Sequence, residues 1–325
     1  MLLKKIFDKQ YSFLRRLRLV YIIHTIFNYS LLKKNKALYV KYGLKKVVWW
    51  PISGKDFKDK KAASPWLDRL DAVEVLKQNT LFKNFNTTIQ QELLNWPEQG
   101  FVILKQFFSI HDLDTINNEI ERLLLSKDVY LNYSGKQIIS AHEKSETIKQ
   151  IIHNKNLNRI LEFILDKKLN IFQSINFIKG SEIKPHSDFF HMATFPEGNT
   201  IAVWLALEDV DETNGPLLYY PGSHKIPYVY CHDFAHENNF LHIDAALYAK
   251  YENKIAELIK IYHLYPKKFY AKKGDVLIWH ANLLHGGAKI LDKEKTRKSM
   301  VMHYFAKDVI CYHEITQRPA IQKNN

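Results

Sequence analysis

In the stretch EIKPHSDFF, His186 and Asp188 present an imidazole and a carboxylate two positions apart. On an extended strand such residues project from one face, so a single metal ion could take a ligand from each. The pattern alone is weak: the chain has 15 histidines, and a second H-x-D stands at His242 and Asp244. What lifts the first pair above the second is what comes after it. The segment GDVLIWHANLLHGG offers two further imidazoles, His280 and His285, and KTRKSMVMHYF offers Arg297 with Ser299 two residues on. Two histidines and one carboxylate with open positions form the facial arrangement suited to non-haem Fe(II). A dicarboxylate co-substrate such as 2-oxoglutarate would need its far carboxylate gripped by a fork-shaped cation. Arginine does this bidentately, whereas lysine is a point charge. Arg297 lies twelve residues beyond His285, where a following strand would begin, and Ser299 shares its face as a further donor.

Such a constellation needs strands to hold it. The runs IFQSINFI, TIAVWLAL, DVLIWHA and SMVMHYFA are short, rich in β-branched and aromatic residues, and bounded by Gly, Pro, Asn or Asp, as strands are. Upstream, Gly100 breaks the chain before a β-rich run from Phe101 to Phe108. Ser109 then stands as an N-cap with Asp112 three residues on, and Leu113, Ile116, Ile120, Leu123 and Leu124 follow a helical period. A second helix fits Leu157, Ile160, Leu161 and Ile164. Helices first and strands later, without alternation, predict an antiparallel sandwich or jelly roll with helices on one flank. An insertion at 226–273 interrupts the strands. It carries a helical stripe through Tyr248, Tyr251, Ile255, Leu258, Ile259 and Tyr262, together with His232, His236 and His242.

Charge and cysteine content narrow the classes. Residues 1–61 hold 16 Lys or Arg against three Asp, the whole of the net +13, while the other 264 residues balance at 31 basic and 31 acidic. The basicity therefore belongs to one N-terminal segment. Its apolar run from Leu19 to Leu32, 14 residues containing His24, Thr25, Asn28 and Ser30, is too short and too polar to span a bilayer. Three readings remain for it: a helical extension packed on the main domain, an interfacial membrane helix, or a nucleic-acid contact. A duplex-binding groove should itself be basic, and the neutral body argues against the third. Residues 52–66, ISGKDFKDKKAASPW, read as a linker. Two cysteines, Cys231 and Cys311, make no disulfide framework or C-x-x-C site and suit a reducing, cytoplasmic setting, peripheral on the inner membrane face if the segment touches lipid.

The order PHSD, then WLALEDVDETNGPLLYYPGSHK, then AKKGDVLIWHANLLHGG, then TRKSMVMHY resembles the phytanoyl-CoA dioxygenase family over roughly residues 95–306. The resemblance implies an α+β protein, mostly β with flanking helices, on a double-stranded β-helix (jelly-roll, cupin-like) core. It implies Fe(II), 2-oxoglutarate and O2 as cofactor and co-substrates. His186, Asp188 and His285 match the family's iron ligands, leaving His280 as a strand neighbour, and Arg297 matches the arginine that grips 2-oxoglutarate. Trp204 matches an aromatic position beside the co-substrate, with Gln173 and Ser299 as looser members of that pocket. Halogenating relatives lack the carboxylate, so Asp188 points to hydroxylation of a small organic or a lipid- or glycan-linked substrate. His242 and Asp244, inside the insertion and after the NGPL to PGSH element, stand in the wrong order for the iron pair. The expected organisation is a basic segment 1–61 and one oxygenase domain 62–325. Within it lie a helical flank at about 62–165, a β-helix at about 166–312 and a lid at about 226–273. The rival readings are a non-catalytic binding protein on the same barrel and a nucleic-acid-directed oxygenase.

Overall fold

The computed structural model describes residues 14–132, 134–235 and 241–321. Its strands are β1 (Phe101–Leu104), β2 (Gln137–Ile139), β3 (Leu169–Phe177), β4 (Ala193–Phe195), β5 (Thr200–Ala206), β6 (Leu217–Tyr219), β7 (Lys267–Phe269), β8 (Val276–His280), β9 (His285–Gly287), β10 (Ser299–Ala306) and β11 (Ile310–Tyr312). The longer helices are α1 (Arg18–Phe27), α2 (Thr87–Gln99), α3 (Ile110–Leu125), α4 (Lys155–Leu165) and α5 (Leu247–Ile261). Six strands form one sheet in the order β1-β8-β5-β10-β3-β2, accompanied by a three-stranded sheet β7-β6-β9 and the pair β11-β4. Every pairing is antiparallel. This is the double-stranded β-helix expected, with about 39% helix and 18% strand once its flank is included.

The two faces of the large sheet explain why its strands read as nearly unbroken apolar runs. Ile201, Val203, Leu205, Val276, Ile278, Met300 and Met302 point outward and share a core with Leu113, Ile116, Ile120, Leu157, Ile160 and Ile164 of α3 and α4. The alternate residues, Ala202, Trp204, Ala206, Leu277, Trp279 and Val301, point inward and meet Leu217, Tyr219 and Phe269 of the small sheet. Each face is buried, so neither tolerates the polar alternation of a half-exposed strand. The capping of α3 is as read: Ser109 Oγ accepts from the Asp112 N–H at 3.1 Å and pairs with its carboxylate. Gly100 ends α2 in the left-handed region (φ 76°), where a Cβ would strike the His224 ring. The chain thus turns directly into β1, an edge of the large sheet.

Several boundaries differ from the sequence reading. The run at Phe101–Phe108 keeps its strand only to Leu104. Buried Asp275 then collects the Gln106 N–H and Lys105 Nζ, and Gln106 takes φ 48° to allow it. Strand β2, within the stretch read as helical, joins the large sheet beside β3, and β7, within the insertion, pairs with β6. The stretch 52–66 is a strap more than a free linker: the Ile52 N–H donates to Gln317 O and the Gly54 N–H to the buried Glu314 carboxylate. Leu32, Tyr39, Leu44, Val48, Ile52 and Phe57 pack with Phe189, Phe195, Ile310 and Tyr312, so the basic segment from residue 14 onward is docked on the barrel. No helix among the described residues is long and apolar enough to cross a membrane.

Candidate metal centre

His186, Asp188 and His285 converge, with one ligand atom from each lying within 4.8 Å of the others. His186 does not lie on a regular strand, as the spacing suggested. It makes an isolated antiparallel bridge to His285 at the start of β9, each backbone N–H donating to the other's carbonyl at 2.9 Å. Asp188 opens the short 3-10 turn Asp188–Phe190, which folds its carboxylate inward. The two histidines are oriented alike. His186 Nδ1 contacts Lys184 O, and His285 Nδ1 contacts Leu283 O, each at 3.0 Å. Donating there places the proton on Nδ1 and leaves the Nε2 lone pair for a metal. Burial, aided by the neighbouring His285, drives the His186 pKa down to about 4, and burial lowers His285 as well, so both rings are neutral at neutral pH.

Asp188 is fixed from two sides. Trp279 Nε1 donates to Oδ2 at 2.7 Å, while Oδ1 lies 3.6 Å from His285 Nε2 and 3.5 Å from His303 Nε2. Burial by itself would raise the Asp188 pKa, but the His285 and His303 rings overturn this and lower it, so the carboxylate stays ionised. The turn carrying it is clamped by the insertion. The Ser187 N–H donates to Tyr251 Oη of α5 at 2.9 Å, and the Phe190 and Tyr251 rings stack at 3.7 Å. The donor set, two neutral imidazoles and an ionised carboxylate, fits a divalent transition metal of the iron class.

Further along the barrel interior, Arg297 is 1% exposed and has no carboxylate partner within ion-pair distance among the described residues. Nη1 donates to Ser299 Oγ at 2.7 Å, the guanidinium lies over Phe177 (5.2 Å) and Trp204 (5.6 Å), and Nε is buried without a partner. Burial pushes its pKa down to about 10, partly offset by Glu208. It remains a cation in need of an anion. Arg297, Ser299 and Trp204 are thus brought together as the sequence suggested, with Phe177 as an added wall. Gln173, on β3, sits opposite His303 in register, and its Nε2 is 3.5 Å from His303 Nδ1. It therefore reaches Asp188 through His303.

The other candidates part from this group. His280 turns to the outer face of β8, where Nε2 meets Asp68 Oδ2 at 3.2 Å. Asp244 pairs with Lys250, His242 bridges Leu17, and His232 faces Asp233; His236 lies outside the described residues. Sequence reasoning missed Trp279, His303 and His191, the last edge-to-face with His186 at 6.0 Å between ring centroids and lowered by burial to about 4. His303 had a legible signal: it follows Arg297, Ser299 and Val301 at the strand period of two. Trp279 had none short of the register that sets it beside Ala202.

The phytanoyl-CoA dioxygenase (PhyH) family model matches residues 96–298, a span that takes in the triad and Arg297 and leaves out the basic segment. The peroxisomal phytanoyl-CoA dioxygenase of Bos taurus is 23% identical over 260 residues, 70% of this chain and 72% of that one. The ectoine dioxygenase of Stutzerimonas stutzeri strain A1501 is 29% identical over 194 residues, 54% of this chain and 62% of that one. Among solved structures, the epimerase SnoN in complex with Fe3+, alpha ketoglutarate and nogalamycin RO superposes with a TM-score of 0.54 at 18% identity, covering 68% of this chain and 85% of SnoN. This chain belongs to the phytanoyl-CoA dioxygenase family of iron- and 2-oxoglutarate-dependent dioxygenases.

Proposed function

We propose that the chain is a hydroxylase acting on a small organic or a lipid- or glycan-linked substrate. In this reading His186, Asp188 and His285 hold Fe(II), and Arg297 with Ser299 holds the far carboxylate of 2-oxoglutarate. The observation that carries it is the pairing of a His-Asp-His group, half-buried at His186 and buried at Asp188 and His285, with a buried guanidinium that has no anion of its own among the described residues. Bound there, iron with 2-oxoglutarate and O2 would supply oxidative decarboxylation coupled to C–H hydroxylation, giving succinate, CO2 and the hydroxylated product. The chain's own residues do the rest. The Nδ1 contacts of His186 and His285 hold their Nε2 atoms inward, and the Trp279 indole holds Asp188 so that Oδ1 faces the histidines. Trp204 and Phe177 wall the guanidinium from water and so strengthen its hold on a carboxylate, while Gln173 steadies His303 behind Asp188. The presence of Asp188 supports hydroxylation over halogenation. Two buried, unbridged cysteines support a reducing, cytoplasmic setting.

The test is an anaerobic titration with Fe(II) and 2-oxoglutarate, read by the weak visible charge-transfer band of the chelated co-substrate. Wild type should show the band, His186→Ala should lose it, and Arg297→Ala should need far more 2-oxoglutarate. Folded, iron-replete wild type without a band would favour a binding protein on the same barrel.

A further inference from the structure

Helix α1 carries apolar residues on two sides and buries the less apolar one. Arg18, Ile22 and Thr25 point inward. Thr25 Oγ1 donates to Trp49 O at 2.8 Å, and the Arg18 N–H donates to Leu241 O at 2.9 Å, so the orientation is fixed by specific bonds. Leu19, Val20, Ile23, Ile26 and Phe27 line the other side and stand in solvent, Phe27 at 82% exposure. A surface helix ordinarily turns its apolar stripe to the core. Here five large apolar side chains face out while an arginine and a threonine face in. The segment that follows continues the pattern, with Tyr29, Val40, Val47 and Trp50 exposed. Lys33, Lys34, Lys36, Lys41 and Lys45 are exposed among them. Between residues 14 and 50 there are nine Lys or Arg and no Asp or Glu.

We propose that this face docks on the surface of an anionic lipid bilayer, with α1 lying in the interfacial plane. Ile23, Ile26 and Phe27 enter the acyl boundary, and the lysines meet the headgroup phosphates. Apolar contact and cationic contact are then satisfied together, which is what an interfacial helix requires. A nucleic-acid backbone would use the lysines and gain nothing from leucine or isoleucine. A two-fold contact with a second copy would bring two purely cationic segments together. Tyr21, on the flank of α1, packs into the cluster that holds Phe190 and Tyr251, so docking brings the metal centre's supporting turn close to the interface.

Flotation of the full chain with vesicles tests this, comparing phosphatidylcholine alone with phosphatidylcholine mixed with phosphatidylglycerol. Wild type should float with the mixed vesicles and release as NaCl rises. Ile23→Ser with Phe27→Ser should lower the partition coefficient about tenfold or more, because two apolar side chains no longer leave water. Lys33→Gln with Lys34→Gln and Lys36→Gln should lower it severalfold on the mixed vesicles. All five side chains are exposed, so melting temperature and circular dichroism should hold. Failure of wild type to float with mixed vesicles, or equal flotation of the serine variant, would overturn the proposal. So would a wild-type dimer by light scattering that the serine variant breaks without any vesicle binding, or tighter binding to a duplex oligonucleotide than to vesicles.

Discussion

Replacing Arg297 with methionine should leave the ligand-free protein nearly as stable as wild type while abolishing its grip on 2-oxoglutarate. The reason is the absent carboxylate. Burial lowers the guanidinium from its ordinary value to about 10, a destabilisation of the cation of roughly 3 kcal/mol at neutral pH. Methionine of similar length removes that penalty. It forfeits the charged hydrogen bond to Ser299, about 2 kcal/mol, and the contacts with Phe177 and Trp204, about 1 kcal/mol. Gain and loss cancel to within about 1 kcal/mol, whereas removing one partner of a buried ion pair costs about 3–5 kcal/mol. For the co-substrate, two charge-assisted bonds at about 1.5–3 kcal/mol each disappear, so its Kd should rise by a hundredfold or more. Urea denaturation of the metal-free protein reads the first quantity, and the anaerobic charge-transfer titration reads the second. 2-Oxoglutarate should also raise the melting temperature of iron-loaded wild type and not of the variant. A loss of 3 kcal/mol or more in the ligand-free variant would show that Arg297 already serves a structural anion, and the argument for a waiting clamp would fail.

Trp279→Phe should leave Asp188 Oδ2 without its donor and weaken Mn(II) or Fe(II) binding about 10- to 100-fold by calorimetry; unchanged affinity would remove the indole from the orienting role. Tyr251→Phe should strand the Ser187 N–H and cost about 1–3 kcal/mol in the denaturant midpoint, and a near-zero change would mean that α5 does not clamp the turn. The metal-free protein should lose stability as pH falls. His186 and His191 are lowered to about 4 and His224 to about 3, each first by burial, against an ordinary 6.5. The unfolded chain therefore takes up protons from about pH 6.5 while the folded one resists until about 4 at His186 and His191 and about 3 at His224, so stability drops through that window. Urea midpoints at pH 7 and 4.5 that coincide would contradict the buried, neutral state of these rings.

The chemistry was legible because few residue types can do it and their order along the chain is constrained. An H-x-D, a later histidine and a later arginine made His186, Asp188 and Arg297 candidates, and the family resemblance chose His285 over His280 and set His242 with Asp244 aside, although the local backbone under His186 is a lone bridge and not the strand that the spacing implied. The supporting shell was less legible because its members are ordinary residues whose meaning comes from register. Trp279 reaches Asp188 only because β8 pairs with β5 at Ala202, and His303 faces it only because β10 keeps its phase from Arg297 until the irregularity after His303. Periodicity failed most at α1, for a different reason. With Ile22 on one side and Ile23 and Ile26 on the other, the apolar pattern does not say which side the core takes. The choice is made by polar bonds: Thr25 to Trp49 O and the Arg18 backbone to Leu241. A helix anchored by hydrogen bonds is free to leave its greasier face outward. That freedom makes the exposed stripe informative about function, since packing with its own core no longer accounts for it.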